Sequence, residues 1–204
     1  MTSSEKPWNW GAYHQANQGR ALRPFYVEVM SLLEQGGIGP SRAMELGCGT
    51  GEETLDLLKR GWSVLAIDHA EAAIQDLATR VPPADRPRAE LRASKFENLT
   101  PLKPVHLLYS FQSLSFCPPS EFPAFWARVL SWVEPGGYFA GTLFGLNDQW
   151  VPGGKVSAIS EGDLRDSLKG FGILRWRELD KLGPTSLQGE KHWHYFEVVA
   201  RKFT

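Results

Sequence analysis

The sequence predicts a doubly wound α/β domain: a mostly parallel sheet with helices on both faces, three layers in all. Three observations carry that expectation. Short apolar runs alternate with amphipathic stretches, a glycine-rich turn joins an early strand to a helix, and the next strand ends in an acid about 20 residues on. The elements follow in order. A helix from Pro24 to Glu34 stops at Gly36 and Gly37. Apolar runs read as strands over Ala43–Leu46, Ser63–Asp68, Ala89–Ala93, Val105–Ser110 and Tyr138–Leu143, with helices over Glu53–Arg60, Ala70–Arg80 and Ser120–Trp132 between them. Proline pairs at 82–83 and 118–119 punctuate the connections, because the residue before a proline avoids helix. After Gly145 the pattern changes: a helix over Glu161–Lys169 precedes strands Gly172–Leu179 and Trp193–Lys202, joined by a polar loop.

Bulk properties narrow the function. The 204 residues suit one domain with a sizeable core, and 42% hydrophobic with 22% charged residues is ordinary for a globular chain. A net charge of −1 argues against nucleic acid as an obligatory partner. No apolar run approaches a membrane span, and the polar, aromatic stretch Met1–Trp10 has no apolar leader core, so a cytoplasmic protein is expected. Cys48 and Cys117 fit no metal or redox spacing. The eight tryptophans stand out.

The strongest chemical signal is Glu45-Leu46-Gly47-Cys48-Gly49-Thr50-Gly51, between strand and helix. Glycines let the backbone turn tightly and approach a ligand, and the helix that follows offers free N–H groups to an anion. Asp68, ending the next strand, can accept both hydroxyls of a ribose. A dinucleotide site needs a small residue at position 52; Glu52 stands there and would repel a pyrophosphate. A zwitterionic amino-acid end tolerates it.

These residues resemble the class I methyltransferases that use S-adenosylmethionine (SAM), whose Rossmann-like sheet adds an antiparallel last strand. Glu45–Gly51 matches their first motif, Ala66-Ile67-Asp68 the ribose-binding strand, and Glu134-Pro135-Gly136-Gly137 the turn before the fifth strand. Within the class the chain is similar to small bacterial members related to tellurite-resistance and thiopurine methyltransferases, through residues 113–119, 144–150 and 191–194. The resemblance implies SAM as cofactor and S-adenosylhomocysteine as product. Glu45, Gly47, Cys48, Gly49, Thr50 and Gly51 would surround the methionine end, Asp68 and His69 the ribose, and Ser94, Lys95 and Phe96 the adenine, with Ser110 at the end of the fourth strand. Lys95 replaces the usual Asp that holds the adenine amino group, and His106 the Asp that commonly opens the fourth strand. Lysine cannot accept a hydrogen bond, so adenine would rely on backbone, Ser94 or packing on Phe96.

Substrate should sit beyond the carboxyl ends of the strands, against Gln112, Phe116, Phe144 and Trp150. Residues 1–22 are expected to form a lid ahead of a methyltransferase domain at 23–204, with Trp10 and Tyr13 covering the site. Arg20 and Arg23 are expected to pair with the SAM carboxylate or an acidic substrate. The seventh strand should begin beside the pocket, with His192 and His194 on one face, either as general base and orienting group or as plain edge-strand residues. No metal is expected, since no third ligand stands out among His14, His69 and His106. The expected reaction is methylation of a small, ring-containing acceptor at O or N by a monomer or homodimer. Methylation of sulfur or another chalcogen, or SAM binding without catalysis, are the alternatives.

Overall fold

The computed structural model describes residues 8–100, 102–187 and 189–204, so the first seven residues of the expected lid lie outside the described residues. Seven strands form one sheet: β1 (Arg42–Leu46), β2 (Ser63–Asp68), β3 (Ala89–Ala93), β4 (Val105–Ser110), β5 (Val133–Phe144), β6 (Phe171–Pro184) and β7 (Glu190–Lys202). Their order is β3-β2-β1-β4-β5-β7-β6, and β7 runs antiparallel to both neighbours while β1 to β5 are parallel. This is the class I methyltransferase arrangement expected above.

The strands alternate their apolar residues between two cores, as the two-residue period requires. On one face Ala43, Val64, Ala66 and Tyr109 meet α2 (Pro24–Gln35), α3 (Glu52–Lys59) and α4 (Glu71–Arg80). On the other, Met44, Leu46, Ile67 and Leu108 meet α5 (Phe122–Ser131) and α6 (Glu161–Ser167). The order in which strands are laid down reverses at β1, which is flanked by β2 and β4. A crevice at the carboxyl ends follows from that reversal.

Four elements differ most from the sequence reading. β5 begins at Val133, not Tyr138, because Val133 pairs with Val105 across a register shift that absorbs the Pro-Gly-Gly turn. β6 and β7 pair out to Pro184 and Glu190, a ribbon that projects past the end of β5 at Phe144. A helix, α1 (Trp10–Asn17), occupies the lid; it buries no residue, so it lacks the apolar stripe that reveals a helix in sequence. Asn9 Oδ1 starts it by accepting the Ala12 N–H at 3.0 Å.

Candidate functional site

The glycine turn is built from both ends. The Gly47 and Cys48 N–H groups donate to the Ile67 carbonyl at 2.7 and 3.0 Å, which fixes the turn to the end of β2. Gly47 has φ +76°, and a Cβ there would lie 2.2 Å from Ser113 Cβ. Asp68 accepts the Gly49 N–H at Oδ2 and the Ala70 N–H at Oδ1, both at 2.9 Å, with His69 Nδ1 at 3.2 Å. Burial works to raise the Asp68 pKa, but His69 and the two amide hydrogen bonds outweigh it and hold the carboxyl below its usual value. An ionised acid with lone pairs to spare therefore faces the crevice.

A cavity of about 940 Å³ opens there. It is lined by the expected cofactor residues except Gly51 and Ser110, and by all seven expected substrate residues. Gly51 instead caps α3, where a Cβ would meet Leu77 at 2.5 Å. The Ser110 hydroxyl is buried in a bond to the Leu46 carbonyl at 2.8 Å, so Ser110 shapes the loop after β4 rather than the cavity wall. In that loop Gln112 holds φ +49°, with its N–H on Thr142 Oγ1. It is the one non-glycine residue in the left-handed region among those described, and such strain gathers at functional sites. His106, far from the cavity, pairs with Glu134 at 2.7 Å.

Acids and arginines crowd one end. Glu45 is buried and accepts the Thr54 hydroxyl. Glu53 takes a two-pronged bond from Arg20 and the Arg23 N–H at 3.1 Å. Arg20 thus pairs with a carboxylate of its own chain. Its Nε–H, like the Tyr109 hydroxyl, is buried with no partner among the described residues, and both residues line the cavity. Burial first, and the Glu53 charge second, push the Glu45 carboxyl up to about 8. A folded-state pKa above the usual 4.5 means that folding favours the protonated acid. That stabilising contribution is complete below about pH 4.5 and is lost as pH rises through about 8. Glu45→Gln should therefore gain melting temperature relative to the parent between pH 6 and pH 9, read by scanning fluorimetry. A constant difference across that range would show that Glu45 does not titrate there.

The other end is aromatic. Trp8 packs on Trp150 at 4.6 Å and on Phe116 at 5.2 Å, while Trp10 meets Phe116 at 4.9 Å and His69 at 5.3 Å between ring centroids. Arg23 lies over the Phe111 ring at 4.6 Å and donates to the Tyr13 hydroxyl at 3.1 Å. Phe96 stacks on Phe125, so its ring is held flat beside Ser94 and Lys95 at the cavity wall.

The structure corrects the placement of the two histidines. They do share a face of β7, but it is the face away from the cavity; Trp193 and Tyr195 line it instead. The register explains this: Trp193 stands opposite Lys181 and Tyr195 opposite Leu179, both cavity residues, whereas His194 stands opposite Asp180. His192 Nε2 pairs with Asp180, and His194 Nε2 with Glu178 at 2.9 Å. His194 Nδ1 accepts the Asn147 N–H at 2.9 Å, which assigns the ring hydrogen to Nε2. Both nitrogens are committed, so His194 braces the 145–148 turn and has no lone pair for a substrate proton. Glu178, Asp180 and His194 bring ligand-type atoms within 4.8 Å of one another, yet His194 would have to shed that hydrogen to bind an ion.

Several cavity residues escaped the sequence reading: His14, Asn17, Lys155, Tyr195 and, in the β6–β7 ribbon, Leu179, Lys181 and residues 183–187. The alternation of Trp193 with Tyr195 was the available signal for Tyr195. Burial holds the His14 imidazole below its usual pKa, helped by His69 and opposed by Asp68.

Comparison with known proteins agrees with this fold. A family model described as a methyltransferase domain matches residues 43–137. TehB from Haemophilus influenzae superposes with a TM-score of 0.69 and 17% identity, over 89% of this chain and 63% of that one. The 1,6-didemethyltoxoflavin N1-methyltransferase of Burkholderia thailandensis, solved with that compound and S-adenosylhomocysteine, gives 0.65 and 18% over 95% of this chain and 85% of that one. Hemagglutinin 1 of Eikenella corrodens is 29% identical over 103 residues, half of this chain and 33% of that protein. The chain thus spans a third of that relative and under two thirds of TehB.

Proposed function

We propose that this chain, whose residues 43–137 match a methyltransferase domain and whose sheet has the class I methyltransferase order, transfers a methyl group from SAM to O or N of a small, ring-containing acceptor. The observation that carries this reading is the division of the cavity into two ends. Asp68, Arg20 and the glycine turn make a polar end, and Trp150, Trp193, Phe144 and Phe116 make an aromatic one.

The polar end fits SAM. The Asp68 carboxylate would accept the ribose hydroxyls, and the unpartnered Arg20 Nε–H and Tyr109 hydroxyl would meet polar groups of the methionine end. Phe96 would support the adenine by apolar packing, with Lys95 offering only donors. SAM when bound supplies an electrophilic methyl group on a positively charged sulfur. The chain contributes alignment of the acceptor, an effect that can be very large when reacting atoms are held in line. Trp8, Trp10 and Tyr13 exclude water from above.

Among the described residues, the histidines that line the cavity are His14 and His69, both near Asp68 with His69 also against the Trp10 ring, and burial raises the Tyr195 pKa so that its hydroxyl keeps its proton. Transfer to a nucleophile that arrives ionised is therefore favoured, which keeps sulfur or another chalcogen as the second reading. A non-catalytic SAM-binding role is tested by turnover: release of S-adenosylhomocysteine with any acceptor excludes it.

Asp68→Ala should weaken S-adenosylhomocysteine binding by about 1.5–3 kcal/mol, the range for hydrogen bonds to a charged group. Calorimetry that shows equal affinity would sink the ribose assignment. The lid should also close on the bound cofactor. Limited proteolysis within residues 8–20 is expected to slow in the presence of S-adenosylhomocysteine, and equal cleavage with and without it would contradict a cover.

A further inference from the structure

We infer that Glu97 selects the base of the cofactor: its carboxylate accepts a hydrogen bond from the 6-amino group of adenine, a role that Lys95 cannot fill. This rests on the reading of the polar end as a SAM site and names the residue that tells a 6-aminopurine from other purines there.

The place of the base follows from that of the ribose. With the methionine end on the glycine turn and the ribose on Asp68, the base extends past Asp68 towards β3. The Ser94 N–H donates to the Asp68 carbonyl at 2.8 Å, so the turn after β3 begins against the ribose acid. That turn is held in place. A single helical turn over Phe96–Asn98 is closed by the Asn98 N–H on the Lys95 carbonyl and the Leu99 N–H on the Phe96 carbonyl, both at 3.2 Å. Phe96 stacks on Phe125 with ring centroids 5.0 Å apart, and Leu99 is buried in the same core.

Residues 94–97 all line the cavity, and two of them carry a side-chain oxygen. The Ser94 hydroxyl is neutral and donates to the Lys95 carbonyl at 3.1 Å. Glu97 is half-buried and has no hydrogen bond or ion pair with any described residue, so its lone pairs are open. Its carboxylate is close enough to Cys117 to act on the thiol: burial first, and the Glu97 charge second, push that group up to about 11. Cys117 stands between Phe116 and Pro118, both on the cavity. Glu97 is therefore placed between the turn after β3 and the loop after β4, where a base extending from Asp68 would pass. The 6-amino group of adenine donates two hydrogens and needs an acceptor once it leaves water. Lys95 offers only donors and the Phe96 ring offers neither. A carboxylate bonds an N–H with the help of its charge, and it disfavours a ring without that N–H because it would lose water and gain no partner.

The test uses the full chain and two ligands measured by calorimetry: S-adenosylhomocysteine and the analogue in which hydrogen replaces the 6-amino group. The pair differs only in that group. S-adenosylhomocysteine should bind about 10–100-fold more tightly than the analogue. Glu97→Gln, which keeps a neutral acceptor, should narrow the preference to about threefold, and Glu97→Ala should remove it. A merely structural role for Glu97 would weaken both ligands together and leave their ratio unchanged. Equal binding of the two ligands to the parent chain overturns the proposal. So does a Glu97→Ala protein that keeps the full preference, or a Ser94→Ala protein that loses it. Failure of the parent chain to bind S-adenosylhomocysteine would sink the cofactor reading itself.

Discussion

Lys191→Met should destabilise the chain by about 3–5 kcal/mol, because it leaves the Asp148 carboxylate buried without its ammonium. Asp148 is 1% exposed and cannot turn to water. Its remaining donors are the Trp150 N–H at 3.1 Å and the His194 N–H at 3.2 Å, both fixed in the backbone. The substitution also takes a cation from among Trp150, Trp193 and Phe144. Chemical denaturation measures the loss directly. Adding Asp148→Asn in the same chain should recover most of it, since the damage lies in the stranded charge and not in the missing pair. Recovery of less than a third would move the explanation to ring packing.

Gly47→Ala is expected to cost about 2–5 kcal/mol and to abolish S-adenosylhomocysteine binding. Two effects add: an alanine at φ +76° is strained by about 1–2 kcal/mol, and overpacking costs about 1–3 kcal/mol. The clash is with Ser113 Cβ, and Ser113 cannot step aside while its hydroxyl donates to the Leu46 carbonyl at 2.6 Å. Combining it with Ser113→Gly should relieve the steric part and leave the backbone part. A double variant no more stable than Gly47→Ala would rule out the clash as the cause. Denaturation and calorimetry on the three proteins decide it.

Much of the fold was legible because two periods dominate the chain. Strands β2, β3 and β4 have the boundaries read from the sequence; for β2 and β4 this is because buried parallel strands show little but apolar residues. The glycine turn and Asp68 were legible for a different reason: a close backbone approach restricts the residue type, and restriction leaves a mark. The long β6–β7 ribbon was not. Beyond Leu179 its β6 strand is mostly exposed and pairs with β7 alone, so the extension of β6 depends on ladder bonds that any sequence can make. α1 escaped because its aromatics pack on a cavity and not along one helical stripe.

The histidines show where pattern reading stops. Alternation put His192 and His194 together and set Trp193 opposite, which is what the strand does. It is silent on which face meets the cavity. That choice is made by register: Asp180 opposite His194 gives the imidazoles carboxylate partners on the far side, and Lys181 and Leu179 bring Trp193 and Tyr195 to the near side.

The lid is rooted on α3, with the Gly19 N–H on Glu52 at 2.7 Å and Arg20 and Arg23 on Glu53. The rings of Trp8 and Trp10 are therefore ligands tied to their own receptor by about ten residues of chain. A short tether holds its two ends at an effective concentration in the mM range. Ring contacts too weak to hold a free peptide are enough at that concentration, and their weakness keeps closure reversible. How often the cover is shut then depends on the tether as well as on the rings. Inserting flexible residues between Asn17 and Gly19 would dilute it gradually, roughly as the −3/2 power of tether length, while cutting the Glu53 anchor would release it into bulk solution.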